Sequence, residues 1–386
     1  MNTSLWKQFK FTSLLGALLV SSLTLNACGG SGSSSSGGDG FDTTAGIGGT
    51  GIVAGKTTGF GSIYVNGSRF DTSQSQFIVD GEVLDQNALA VGMIVRLKVE
   101  TENGVYTGDA LEVVYDDELQ GPIDDTAPGI EESPDGTQKT FKVFGQTITI
   151  DDTSTRFEGT TFGTILENDV VEISGFRISE TEVSATYVKK TGVRIFNVSE
   201  VELRGMIDNY SPAPNEMFEI NGITITVDRS NPDLELEVPG GVLEKDLYVE
   251  VKGILTAATE IEARHIELED EDFGEEVDDV RLQGIISQFG VAGPAKFEID
   301  GQLIDFTNAQ IEPNGATLAN GIEVEVEGDI EGGVLYAEEV EVEEEETKLR
   351  SFISSVDVAG SSFEVDFPFT MGVSTRVVVK VDGQTV

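Results

Sequence analysis

Apolar and polar residues alternate with a period of two along most of the chain beyond residue 50, as in Val170-Val171-Glu172-Ile173-Ser174-Gly175, Leu247-Tyr248-Val249-Glu250-Val251-Lys252-Gly253 and Ile322-Glu323-Val324-Glu325-Val326-Glu327-Gly328. Strict alternation predicts half-buried β-strands, and each of these three runs ends in Gly. A second pattern repeats on a longer scale. Leu119-Gln120-Gly121-Pro122-Ile123, Leu203-Arg204-Gly205-Met206-Ile207, Leu282-Gln283-Gly284-Ile285-Ile286 and Leu349-Arg350-Ser351-Phe352-Ile353 open four similar stretches. A looser copy around Val53-Ala54-Gly55-Lys56-Thr57 precedes them. Such self-similarity is the mark of a repeat architecture.

Within each unit the order of signals is the same. After the opening strand comes a hairpin: Ile63-Tyr64-Val65-Asn66-Gly67, Phe141-Lys142-Val143-Phe144-Gly145, Phe218-Glu219-Ile220-Asn221-Gly222 and Phe297-Glu298-Ile299-Asp300-Gly301. Asn-Gly and Asp-Gly between alternating apolar residues favour a two-residue turn, because both turn positions need positive φ. A variable loop and two further strands follow. The last strand begins at Ala and reaches a branched residue three positions on: Ala110 and Val113, Ala185 and Val188, Ala263 and Ile266, Ala337 and Val340. An offset of three breaks the two-residue period, so a β-bulge or strand entry is expected between them. Leu84–Val91 offers a turn or two of helix that plugs a barrel.

Five short strands with Gly-rich turns predict an all-β fold, a tandem array of four to five small five-stranded OB-like barrels. The units are residues 50–118, 119–201, 202–280 and 281–347, with a partial fifth at 348–386 that is expected to pair with the fourth.

The N-terminus differs. Lys7 and Lys10 precede an apolar run from Phe11 to Leu25, too short to span a bilayer, so residues 1–28 read as a secretory signal. It ends in Leu25-Asn26-Ala27-Cys28, and Cys28 is the single cysteine. This end resembles the lipobox of bacterial lipoproteins, which implies a lipidated Cys28. Gly29 in the next position implies the outer membrane, facing periplasm or cell surface, by the same resemblance. The alternative is ordinary cleavage leaving a free thiol. Residues 29–49 are rich in Gly and Ser and form a tether; as a flexible coil, residues 29–45 reach about 23 Å.

The run Gly59-Phe60-Gly61-Ser62-Ile63-Tyr64-Val65-Asn66-Gly67, followed by Val91-Gly92-Met93-Ile94-Val95, resembles the opening repeat of bacterial proteins carrying domain of unknown function 5666. The later copies are similar to its looser consensus. The resemblance implies an exported, often lipid-anchored protein of tandem barrel-like repeats, and carries no catalytic residues.

Charge then narrows the partners. The chain has 69 acidic residues against 24 basic ones, a formal net charge of −45. That excess disfavours nucleic acid, whose binding depends on basic residues displacing counterions. It leaves the membrane, through the lipid anchor, and an envelope protein or polysaccharide as partners. No phosphate loop, nucleophile elbow or dinucleotide fingerprint is present. His265 is the only histidine, which excludes multi-histidine metal centres; it reads as a half-exposed strand residue paired with a carboxylate. These features point to a non-enzymatic, lipid-anchored cell-envelope protein acting as a spacer or binding array, with no cofactor required. The acidic clusters at the repeat junctions offer an alternative, calcium bound by Asp270, Glu271, Asp272, Glu275, Glu276 and Asp278. A simpler reading of those clusters is a solvated acidic surface. A carboxylate hydrolase is a third reading. Glu323-Val324-Glu325-Val326-Glu327 and Glu339-Val340-Glu341-Val342-Glu343 place carboxylates on one face if their strands are neighbours, a destabilising arrangement unless cations screen it.

Overall fold

The structure, a computed structural model, describes residues 48–102, 105–179, 181–269 and 276–343, together with the backbone of three later strands. Cys28 and the rest of the signal and tether lie outside the described residues, as do Asp270, Glu271, Asp272 and Glu275. The described chain is almost entirely β, and its helical content is two single 3₁₀ turns, Gln86–Ala88 and Pro239–Gly241. Among the described residues no helix is long and apolar enough to cross a membrane.

Each of the first four repeats is built on one plan, seen clearly in the third. An opening strand Glu200–Met206 pairs antiparallel with Tyr248–Ala257, which pairs antiparallel with Glu260–Leu268. On its other edge Glu260–Leu268 runs parallel to Ile223–Val227 and then to the short strand Glu235–Glu237. Ile223–Val227 closes a hairpin with Glu216–Ile220. The turns are those anticipated: Asn66-Gly67, Phe144-Gly145, Asn221-Gly222 and Asp300-Gly301 all have positive φ at both positions. They leave two-residue loops, Val65↔Ser68, Val143↔Gln146, Ile220↔Ile223 and Ile299↔Gln302.

The bulge also falls where the three-residue offset puts it. Lys98 faces Glu112 but Val99 faces Ala110, Ser174 faces Tyr187 but Gly175 faces Ala185, and the same slip occurs at Lys252/Gly253 and Glu327/Gly328. The strand glycines explain themselves here. They do not end their strands, as the alternation suggested; they sit mid-strand against the bulge. A Cβ on Gly175, Gly253 or Gly328 would stand 2.3, 2.4 or 2.2 Å from the carbonyl oxygen of Ser184, Glu262 or Tyr336. Gly175→Ala, Gly253→Ala and Gly328→Ala are therefore each expected to cost about 1–3 kcal/mol in urea denaturation. Alanine at Gly163, with open space around it, is the control.

The opening-strand glycine is likewise not a turn residue. A Cβ on Gly121, Gly205 or Gly284 would meet Phe144, Ile220 or Ile299 at 2.3, 2.5 or 2.3 Å, so the bare backbone lets the hairpin end fold across the opening strand.

The array of separate barrels is where sequence and structure part. Within a repeat the pairings return to the opening strand, but the last link is a single bridge at Ile123↔Val143 and Ser287↔Glu298. In the first and third repeats it is two residue pairs, Thr57↔Val65 with Gly59↔Tyr64 and Asp208↔Glu219 with Ser211↔Met217. Regular sheet is not carried round, and no barrel is closed. The strands instead join into two large sheets, of 13 and 14 strands. One fuses the second and third repeats through Leu119↔Leu203 and Gln120↔Glu202. The other fuses the first and fourth through parallel pairs Ile52↔Val280, Val53↔Arg281 and Ala54↔Leu282. Both junctions satisfy the exposed edge of an opening strand, whose unpaired N–H and C=O groups would otherwise template aggregation.

The cores follow the sheets. Repeats two and three share one apolar cluster, including Leu119, Phe141, Ile173, Leu203, Phe218 and Ile266. The first repeat's cluster recruits Tyr187 from the second, and the fourth's recruits Ala54 from the first. The partial fifth copy does not extend the fourth among the described residues; its strands Phe352–Asp357, Ser362–Pro368 and Ser374–Lys380 form a three-stranded antiparallel sheet of their own.

Candidate acidic junction site

Where the chain leaves the first repeat, Val113 and Tyr115 point inward and the following residues Asp116 and Asp117 are drawn into the contact between repeats. The Asp117 side chain is not solvated: the residue is 3% exposed. Its backbone N–H donates to Asp80 Oδ1 at 3.3 Å, tying it to the loop after strand Gln76–Val79. From the third repeat, Arg204 donates to Glu250 Oε2 through Nε and Nη2 at 3.0 and 2.8 Å. Lys252 Nζ lies 2.9 Å from Glu202 Oε2 and 3.0 Å from Glu250 Oε1. Glu172 of the second repeat is held by Lys189 at 2.8 Å.

Three cations, Arg204, Lys252 and Lys189, thus face a larger set of buried carboxylates. The imbalance is visible atom by atom, since Asp117 Oδ1 and Glu202 Oε1 are both buried without a hydrogen-bond partner. Unpartnered buried carboxylate oxygens call for a proton or a cation. The electrostatics agree. Burial, then the charges of Glu202, Asp80 and Glu172, push Asp117 well above the ordinary carboxylate range. Burial and then Glu250 push Glu202 up, and burial pushes Asp80 up to about 6 against the pull of Lys252. Glu250 goes the other way, because Arg204 and then Lys252 overcome its burial.

Beside this layer lies a cavity of about 350 Å³ between the first and second repeats. Its polar wall carries Asp80, Glu158, Glu172, Lys189 and the two tyrosines Tyr115 and Tyr187, and its other wall is apolar, with Leu89 and Met93. The 3₁₀ turn Gln86–Ala88 lines this cavity, so the turn anticipated as a plug forms part of a pocket wall. Tyr187 Oη donates to Glu158 at 2.9 Å. Tyr115 Oη, in a residue 1% exposed, has no partner.

Of the residues singled out for calcium, the described ones are not brought together. Asp278 is exposed on a bulged segment of strand Glu276–Ile285, which Glu276 opens opposite Glu331. Asp278 belongs to no group of donors at metal spacing among the described residues. The junction that does converge is the one around Asp116, Asp117, Glu267 and Glu269, which come from two separate acidic runs of the sequence and are joined in space by Asp80, Glu172, Glu202 and Glu250, which sequence gave no reason to group. The carboxylate rows of the fourth repeat are neighbours, with Glu325 opposite Glu341 and Glu327 opposite Glu339. Arg281 bridges to Glu325 and Glu327, and burial pushes Glu325 up to about 7.

These features define an all-β protein of fused tandem repeats with a buried acidic junction. Three of its repeats, at residues 128–189, 204–267 and 283–341, match the family described as Domain of unknown function (DUF5666). The chain is similar to that family over these three tandem repeats, and the matches fall on the second to fourth repeats rather than on the Gly59–Gly67 run. No curated protein matches the chain.

Proposed function

We propose that this is an exported, lipid-anchored envelope protein without catalytic activity, whose fused repeats form a binding module that takes a divalent cation of the calcium class at the junction of its first three repeats. The signal, lipobox-like Cys28 and tether support the export and anchoring. The parallel pairing of the first and fourth repeats favours a folded-back binding module over an extended spacer. The observation that carries the cation reading is Asp117: a carboxylate sealed from solvent, with one oxygen unpartnered, facing a second such carboxylate in Glu202. Hard cations take six to eight oxygens; Asp117 and Glu202 each offer an unpartnered oxygen, and because they form no three-residue group at metal spacing with Asp80, water would complete the shell.

Calorimetric titration of the full chain with Ca²⁺ is the test. Saturable binding is expected, weakened about 10-fold or more in Asp117→Asn. Absence of saturable heat, or an Asp117→Asn variant that binds as the parent does, overturns the reading.

A further inference from the structure

The outer face of the third repeat holds a second arrangement, distinct in its chemistry. Parallel pairing sets His265 beside Glu235 and Glu267 beside Glu237, and antiparallel pairing sets Lys252 beside His265 and Glu250 beside Glu267. Cross-strand partners share a face of the sheet. Two rows therefore run across three strands, Glu235/His265/Lys252 and Glu237/Glu267/Glu250.

Comparison with the equivalent rows of the second repeat shows what has changed. In the second repeat they read Arg156/Tyr187/Ser174 and Glu158/Lys189/Glu172, and there the charges are matched: Lys189 holds Glu172 and Tyr187 holds Glu158. In the third repeat the position of Tyr187 is taken by His265 and that of Lys189 by Glu267. Lys252 is committed to Glu202 and Glu250. Among the described residues no ion pair to a lysine or arginine is seen for Glu235, Glu237 or Glu267, and His265 Nε2 is shielded from solvent without a hydrogen-bond partner.

The donors are already close. A ring nitrogen of His265 and one oxygen each of Glu235 and Glu237 lie within 4.8 Å of one another, and the same holds for His265 with Glu250 and Glu267. Around a tetrahedral zinc ion with bonds of about 2.0–2.1 Å, ligand atoms stand about 3.3 Å apart, so side-chain rotation alone brings the outer group to that spacing.

We propose that His265, Glu235 and Glu237 form a binding site for a zinc-class transition-metal dication, with Glu267 and Glu250 behind them supplying further negative charge. One imidazole with carboxylates suits zinc and its neighbours, whereas calcium is served by oxygen alone. The site is open on one side, since Glu235 and Glu237 are exposed and leave room for water or an external ligand. Its three proposed ligands are not members of the Asp117 layer, which the site adjoins through Glu267 and Glu250.

The test is titration of the full chain with Zn²⁺ in the presence of saturating Ca²⁺, which occupies oxygen-only sites. One equivalent of Zn²⁺ is expected to bind. His265→Gln should weaken it by about 100-fold or more, beyond the range seen for outer-sphere partners. The double variant Glu235→Gln/Glu237→Gln, on an exposed short strand, should weaken it at least about 10-fold and provides the decision if His265→Gln fails to fold. Asp117→Asn should bind Zn²⁺ as the parent does. Zn²⁺ affinity unchanged in either His265→Gln or the double variant, or no saturable Zn²⁺ binding in the parent, overturns the assignment.

Discussion

Arg204→Met is expected to destabilise the protein by about 3–5 kcal/mol in urea denaturation, among the largest effects of any single charge substitution. Arg204 is buried and donates a forked pair of hydrogen bonds to Glu250, with Glu269 3.7 Å from its Nε. Its own burial disfavours the charge, yet Glu250 and then Glu269 hold it firmly protonated. Removing it leaves Glu250, Glu202 and Glu269 with Lys252 alone, and stranded buried charge is costly where a matched pair is not. The double variant Arg204→Met/Glu250→Leu is accordingly expected to recover a large part of the loss. A single variant that loses less than about 1 kcal/mol, or a double variant no better than the single, shows that the layer is solvated and not the low-dielectric junction described here.

The parts of this architecture legible in sequence are those encoded locally. Asn66-Gly67 and Asp300-Gly301 specify their turns by φ alone, and Ala263 with Ile266 betrays a bulge because a register slip leaves a mark on the period of two. The fusion of repeats left no such mark. Val53 and Arg281 pair across more than two hundred residues, and an opening strand reads the same whether its edge meets solvent or another repeat. The site was half legible for the same reason. Asp116-Asp117-Glu118 stands out as an acidic run, but Asp80, Glu172 and Glu202 look like ordinary strand and loop acids until the junctions superpose them. The segment chosen for calcium was the densest in sequence, and density favours surface, where carboxylates are solvated. His265 could have been found by lining up repeats, since it replaces Tyr187 and is followed by Glu267 where Lys189 stands. Read in isolation it is one histidine among glutamates.

In the absence of divalent cations, the melting temperature is expected to fall as pH rises from 5 to 8. Asp80 has an ordinary value of 3.8 and a folded value of about 6, so between these limits the folded chain holds a proton that the unfolded chain has released. The folded state then binds more protons, and stability declines with rising pH across that window. Discounted for its partial exposure, Asp80 alone contributes roughly 2 kcal/mol. Asp117 and Glu202, both raised by burial and by each other's neighbourhood, extend the decline above pH 6. Glu250 and the exposed Asp71, Asp125 and Asp135 are shifted down, so their contribution is complete above their unfolded values and is lost only on acidification below about pH 4. The two sets act on opposite sides of about pH 4, which places the stability maximum near there. On the proposed function, calcium is expected to reverse the upper limb by occupying the carboxylates that protons vacate: Ca²⁺ should raise the melting temperature strongly at pH 8 and little at pH 5. Asp117→Asn removes one charge from the layer, and is expected to flatten the pH dependence and shrink the Ca²⁺ response together. A calcium-free melt that rises from pH 5 to pH 8 means the junction carboxylates are not protonated in the fold. A Ca²⁺ shift equal at both pH values means the ion binds somewhere else.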